Sequence, residues 1–322
     1  MNPNTAQSGP ALNRRPIAAP SSSPEAGASD LARASGSGRS LLGRALAVLA
    51  FDRTALLGFV LFFAIVAAAL LAPVLAPHDP NLISMRDRFR GPSLTYPLGT
   101  DELGRDLLSR LMYGARVSMS VGVISVGLAA TVGSLLGLIG GYYGGRIDTA
   151  IMRMMDGLLA FPAIILALAI MTALGPSLVN AMIAIGIVSI PSFARLLRSS
   201  VLTLKEREFV EAVRASGATG GYLMFRTILP NCLSPLLVQV TVGFANAVLA
   251  EAALSFLGLG VRPPTPSWGA MLDMGRRFLT QTGWYSTTAG AAVFIAVLSL
   301  NLLGDGLRDA LDPRLQHQRE RA

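Results

Sequence analysis

Few side chains in this 322-residue chain could carry covalent chemistry. It has one cysteine, Cys232, one lysine, Lys205, and two histidines, His78 and His317, far apart in sequence. A single thiol excludes an internal disulfide and a cysteine metal cage. Neither histidine has a neighbour at ligand spacing, so no metal site is expected. A phosphate-binding loop needs G-x-x-x-x-G-K-[ST], but Lys205 follows Leu204. Nucleotide hydrolysis by this chain is therefore not expected, and no nucleophile–His–acid set appears. Glu251 stands out because it is an acid set inside an apolar run. Such carboxylates face a bundle interior or a water-filled cavity. Two roles are open for it: a hydrogen-bonded structural acid near the end of its helix, or a group lining a watery path.

The other distinctive stretch runs from Arg195 to Asn231, RLLRSSVLTLKEREFVEAVRASGATGGYLMFRTILPN. Lys205–Ser216 is predicted as a charged helix with Phe209, Val210 and Val213 on one side. Gly217 suits its end, where a left-handed residue is wanted. Gly220-Gly221 gives a second break, and Pro230 marks the start of the next apolar run. A short surface helix with small Ala212, Ala215 and Gly217 and a few apolar anchors fits a protein groove. Its chemistry is docking.

The elements that must hold these residues are apolar. Residues are 52% hydrophobic and 14% charged, unlike an ordinary soluble domain. The net charge of +8 comes from arginines flanking apolar runs rather than gathered on one face, which argues against nucleic-acid binding. A crossing helix needs about 20 apolar residues, and a central charge costs roughly 2.5–3.5 kcal/mol, so uncharged runs locate the spans. These are Thr54–Pro77, Ser118–Gly145, roughly 157–174 and 178–194, Thr227–Ala250 continuing past Glu251 to about Leu259, and Phe278–Gly304. The third and fourth share one uncharged run that Gly175-Pro176-Ser177 divides. The fold is thus expected to be all-α with six transmembrane helices. Placing the N-terminus inside puts 18 Lys and Arg on the inner side against 9 on the outer, which favours both termini cytoplasmic. Residues 1–50 read as a disordered tail. They lack the apolar core of a signal peptide, so the first span stays as an anchor. Gly133 and Gly137, with Gly140 and Gly141, have the small-residue spacing of close helix packing.

Ahead of the second span, Gly99-Thr100-Asp101-Glu102-Leu103-Gly104-Arg105-Asp106 predicts an interfacial helix. Thr100 caps it, Asp101–Arg105 and Asp106–Arg110 form i,i+4 pairs, and Leu103, Leu107 and Leu111 make an apolar stripe.

These residues resemble a known family. Glu211-Ala212, then Gly217, then Leu229-Pro230 follow the pattern E-A-A, three residues, G, nine residues, I-x-L-P, with Val213 and Thr227 as departures. The pattern marks the permease subunits of binding-protein-dependent ABC importers. The segment from Gly99 to Asp106, with Ser109-Arg110 and Gly114, is similar to the dipeptide/oligopeptide/nickel-type members. So are Glu251–Gly260, Pro266–Leu272 and Leu303–Pro313, although Ala289 stands where that group usually has proline. The resemblance covers about residues 51–313 as one transmembrane domain, with a coupling loop about 196–230 and a cytoplasmic tail over 314–322.

The resemblance implies a multi-pass protein of the inner (cytoplasmic) membrane that imports peptides or similar small solutes. Glu211, Ala212, Gly217, Leu229 and Pro230 would belong to the loop that docks on separate ATPase subunits. Its implied partners are a second homologous permease, two ATPase subunits or domains, and an extracytoplasmic substrate-binding protein. ATP is bound by those partners and no cofactor by this chain. An ion-gradient-driven secondary transporter is the main rival, but it predicts inverted repeats and several intramembrane ionisable groups, where only Glu251 qualifies. A purely structural membrane protein would leave the docking loop without a purpose.

Overall fold

The structure is a computed structural model that describes residues 53–311. The expected tails over 1–50 and 314–322 lie outside the described residues. Among the described residues all extended regular structure is helical. In chain order come α1 (Arg53–Leu75), α2 (Leu107–Tyr143), α3 (Gly145–Leu159), α4 (Ala163–Leu174) and α5 (Leu178–Leu204). Then follow α6 (Glu208–Ala215), α7 (Leu233–Phe256), α8 (Trp268–Arg277) and α9 (Trp284–Leu311).

Helices α1, α2, α5, α7 and α9 are long and apolar enough to cross a membrane. Helices α3 and α4 meet the same test only as a pair bent by 89°, which makes five spans, or six when that pair counts as one. That corrects the single third helix expected over 157–174. Pro162 sits at the bend in an extended conformation, where its ring cannot continue the preceding helix. The 12 residues of α4 reach only about 18 Å, short of a core about 30 Å thick. The turn at Gly175-Pro176-Ser177 forms as read from sequence. Gly175 has φ +88°, and the Ser177 hydroxyl accepts from the Asn180 N–H to cap α5.

The centre of the bundle is the α2–α5 pair, its most extensive contact. A β-carbon on Gly133 would lie 2.6 Å from the Ile190 carbonyl oxygen, and one on Gly141 2.9 Å from Val201 Cβ. One on Gly137 would run into the Ala194 carbonyl oxygen. The backbones therefore touch along a seam that tolerates no side chain, the close packing that lipid-embedded helices rely on. Helices α7, α9 and α1 complete a core containing Val126, Ala184, Phe193, Phe244, Val248 and Leu300. Large apolar side chains such as Phe63, Leu70, Val74 and Phe294 stay outside, the surface a bilayer covers.

At the end of the bundle where α2 begins, the interfacial helix expected from Thr100 does not form. The Asp101 carboxylate accepts from the N–H groups of Leu103 and Arg105, a local turn that competes with helix. Arg105 binds Asp101 at 2.6 Å and Glu102 at 2.8 Å. Arg110 turns away from Asp106, lying 3.4 Å from Asp101 and donating to the Pro80 carbonyl. The helix cap is Asp106, which accepts from the Ser109 N–H. Thr100 instead donates to the Asp87 carbonyl. Leu107, expected on the apolar stripe of an interfacial helix, is fully buried against Tyr285 and Met271. The charges in this knot are buried, and they neutralise one another across a tight turn.

Candidate functional site

The docking segment stands at the other end of α2. Helix α5 does not stop at Arg195 as the charge pattern predicts; it continues to Leu204. Both arginines are paired with acids on α3. Arg195 binds Asp156 at 2.6 Å, and Arg198 holds both oxygens of Asp148 at 2.5 and 2.6 Å. The loop expected over about 196–230 is therefore helical up to Leu204. The predicted Lys205–Ser216 helix is shortened to α6, after a turn closed by Arg207 N–H on the Leu204 carbonyl. Glu208 and Glu211 lie in the first turn of α6 and Arg214 in its last, each where the helix dipole favours its charge.

Val210 is the anchor. It is completely buried in a cluster of Leu138 from α2, Leu197 and Val201 from α5, and Leu223, Met224, Ile228 and Cys232 beyond α6. Val213 packs alongside. Phe209, expected on the same side, faces away and is 43% exposed. Residues 209 and 210 are about 100° apart on a helix, so only one of them can enter the cluster.

Gly217 ends α6 with φ +85°. Its N–H bonds the Arg214 carbonyl and the Ala218 N–H bonds the Val213 carbonyl, the paired bonds of a Schellman motif. Thr219 then caps the next short turn. Residues Leu223–Ile228 run as π-helix ahead of Pro230, whose missing N–H cannot bond in the ordinary register.

Of the five residues singled out from the sequence, Glu211, Ala212, Gly217 and Pro230 are exposed. Leu229 packs on the cluster. The structure turns Phe209 outward and adds two residues the sequence reading passed over, Tyr222 and Phe225. Phe209, Tyr222 and Phe225 are exposed by 43%, 54% and 49% on the same segment as the small residues. Aromatics flanking an Ala/Gly-rich turn are the signal that could have found them. The arrangement offers a firm seat, small residues and uncovered rings, which suits binding a protein.

Glu251 sits on α7 at the other end, 1% exposed. One oxygen accepts from Ser255 Oγ at 2.7 Å and the other from Ser118 Oγ, on α2, at 3.1 Å. Ser267, the cap of α8, is a third hydrogen-bonding neighbour. Beside it the Trp268 indole donates to the Leu111 carbonyl at 2.9 Å, with Gly114 making room for the ring. Glu251 thus ties α7 to α2 and α8.

The comparisons with known proteins agree with one another. A family profile described as binding-protein-dependent transport system inner membrane component matches residues 133–317. A second, the N-terminal TM domain of oligopeptide transport permease C, matches residues 40–92. The di/tripeptide transport system permease protein DppC of Pseudomonas aeruginosa (strain UCBPP-PA14) is 47% identical over 274 residues, 83% of this chain and 90% of that protein. The dipeptide transport system permease protein DppC of Haemophilus influenzae is 45% identical, covering 82% of this chain and 92% of that one. The glutathione transport system permease protein GsiD of Pectobacterium atrosepticum is 43% identical, covering 78% and 84%. With helices of membrane-crossing length and relatives that are transport permeases over most of their length, this chain belongs to the binding-protein-dependent transport system inner membrane component family, as a multi-pass inner-membrane permease subunit of an ABC importer and not an ion-gradient-driven secondary transporter.

Proposed function

We propose that this permease forms half of a path for peptides or similar small solutes and takes its drive from separate ATPase subunits that dock on the segment Glu211–Gly217. The observation that carries this reading is the seat of α6. Val210 fixes a short helix to α2 and α5 while Glu211, Ala212, Gly217 and the rings of Phe209, Tyr222 and Phe225 stay uncovered. In this reading the segment and both termini are cytoplasmic, as the arginine count favours. A second homologous permease completes the path, and an extracytoplasmic binding protein delivers the solute. The peptide class is supported by the names of the relatives, which transport dipeptides, tripeptides and glutathione. Nucleotide closure of two ATPases would draw paired docking segments together and rock the bundles between inward- and outward-open forms. Glu251 serves as a structural acid, because both of its oxygens are occupied by serines of the bundle.

The test is Gly217→Asp in the assembled importer. At φ +85° the new residue is strained, and its carboxylate projects into the docking surface. The expected result is normal membrane insertion with loss of the co-purifying ATPase or of ATP-dependent uptake. Wild-type retention and uptake in this variant would overturn the docking role.

A further inference from the structure

We infer that Asp148 and Arg198 are a positioning pair that makes the bent α3–α4 unit follow the docking segment, an inference that rests on the docking reading above. Arg198 lies on α5 between Leu197 and Val201, two of the residues that seat Val210. Its guanidinium grips both Asp148 oxygens at 2.5 and 2.6 Å, the two-bond geometry that fixes orientation as well as distance. Asp148 lies in the first turn of α3 and directly over Gly140 of α2, where a β-carbon would come 3.2 Å from its carboxylate. Three helices therefore meet at one ion pair beside the seat of α6.

Beside this pair, Ile151 of α3 lies near Gly140 of α2, and Lys205 adds a second positive charge facing Asp148. Met155 is the one buried residue of α3. Its chain link to α2 is Gly144-Gly145, with φ +67° and +56° and open space around both, so no side chain braces the joint. The second pair, Arg195–Asp156, has both side chains about half exposed and belongs to the class of ion pairs worth little. Asp148 is 15% and Arg198 33% exposed, so the first pair carries the connection. Because α3 runs into α4 through the 89° bend, whatever holds α3 to α5 also decides whether α4 moves with the docking segment.

The experiment uses the complete importer in nanodiscs, with spin labels at the exposed positions Arg153 and Ser199 and distances measured without nucleotide and after trapping with ATP and vanadate. The wild type should give one narrow α3–α5 distance in both states. Asp148→Asn should broaden it or shift it by about 2 Å or more on trapping, and lower labelled dialanine taken up per ATP roughly tenfold while ATPase subunits remain bound. The charge-swapped double variant, Asp148→Arg with Arg198→Asp, should restore both readouts, whereas an inert staple would leave uptake per ATP unchanged in Asp148→Asn. If Asp148→Asn does not assemble, the neutral pair Asp148→Asn with Arg198→Gln takes its place, with the same expectation.

A wild-type distance that itself changes on trapping, or a variant distance as narrow as the wild type, would overturn the inference. The distance arm needs no transported solute and no docked ATPase for its nucleotide-free half. Failure of the docking reading is seen separately, as retention of ATPase and uptake in Gly217→Asp.

Discussion

The two roles left open for Glu251 make opposite forecasts for two substitutions. Glu251→Gln keeps the shape and one acceptor, so Ser255 retains its bond. Ser118 must turn its hydroxyl to accept from the new amide. Such an exchange costs about 1 kcal/mol. Glu251→Ala is much harsher. It strands the hydroxyls of Ser118 and Ser255, both buried, at about 1–3 kcal/mol each, and leaves a cavity between α2, α7 and α8. The two hydroxyls alone cost about 2–6 kcal/mol, and the cavity adds to that. The assay is thermal unfolding of the complex in nanodiscs alongside ATP-driven uptake, each normalised to assembled complex. A structural acid predicts that Gln melts slightly early and transports at near the wild-type rate, while Ala fails to assemble. A Gln variant that assembles and melts like the wild type yet transports nothing would refute the structural role and place the carboxylate on the solute's route.

Three further outcomes follow from the packing. Gly137→Val drives a side chain into the Ala194 carbonyl and should cost at least about 1–3 kcal/mol by overpacking, read as a lower melting temperature. Val210→Asp puts a carboxylate into a fully apolar, fully buried seat. It should leave the membrane helices inserted but make residues 205–222 newly sensitive to limited proteolysis and release the ATPase. Tyr285→Phe should be neutral or stabilising, because the Tyr285 hydroxyl is buried with no hydrogen-bond partner among the described residues. A marked drop in melting temperature would reveal a partner.

What the sequence makes legible follows from what each physical rule can see. Uncharged runs expose the spans because lipid excludes lone charges, and the break at Gly175-Pro176-Ser177 is a local matter of backbone freedom. Gly217 is legible for the same reason, since its helix end is built from its own neighbours. The true length of α5 is not legible. Arg195 and Arg198 look like a boundary until Asp156 and Asp148, far back in the chain, are seen to neutralise them. The knot at Asp101–Arg110 misleads similarly. Its acids fit a helix N-terminus by spacing, but Asp101 spends its carboxylate on a turn and Asp106 takes the cap. The bend at Pro162 carries a plain sequence signal, the bias against helix just before proline. Counting apolar residues is blind to it. Phe209 shows the limit of reading a helix face by eye, where one residue's rotation separates the anchor from the exposed ring.

The 37 residues of α2 run without interruption from the Asp106 cap to Tyr143, about 55 Å at the standard rise. That is far longer than a bilayer core requires, so one stiff rod emerges from the membrane and bears on both of its surfaces. Its first turns are nailed into the charged knot and its last turns into the seat of Val210. A tilt begun at either surface must therefore reappear at the other, like an oar through a rowlock. The next helix, α3, leaves the rod through Gly144-Gly145, where both residues have positive φ, so the rod's own line is not carried on into it.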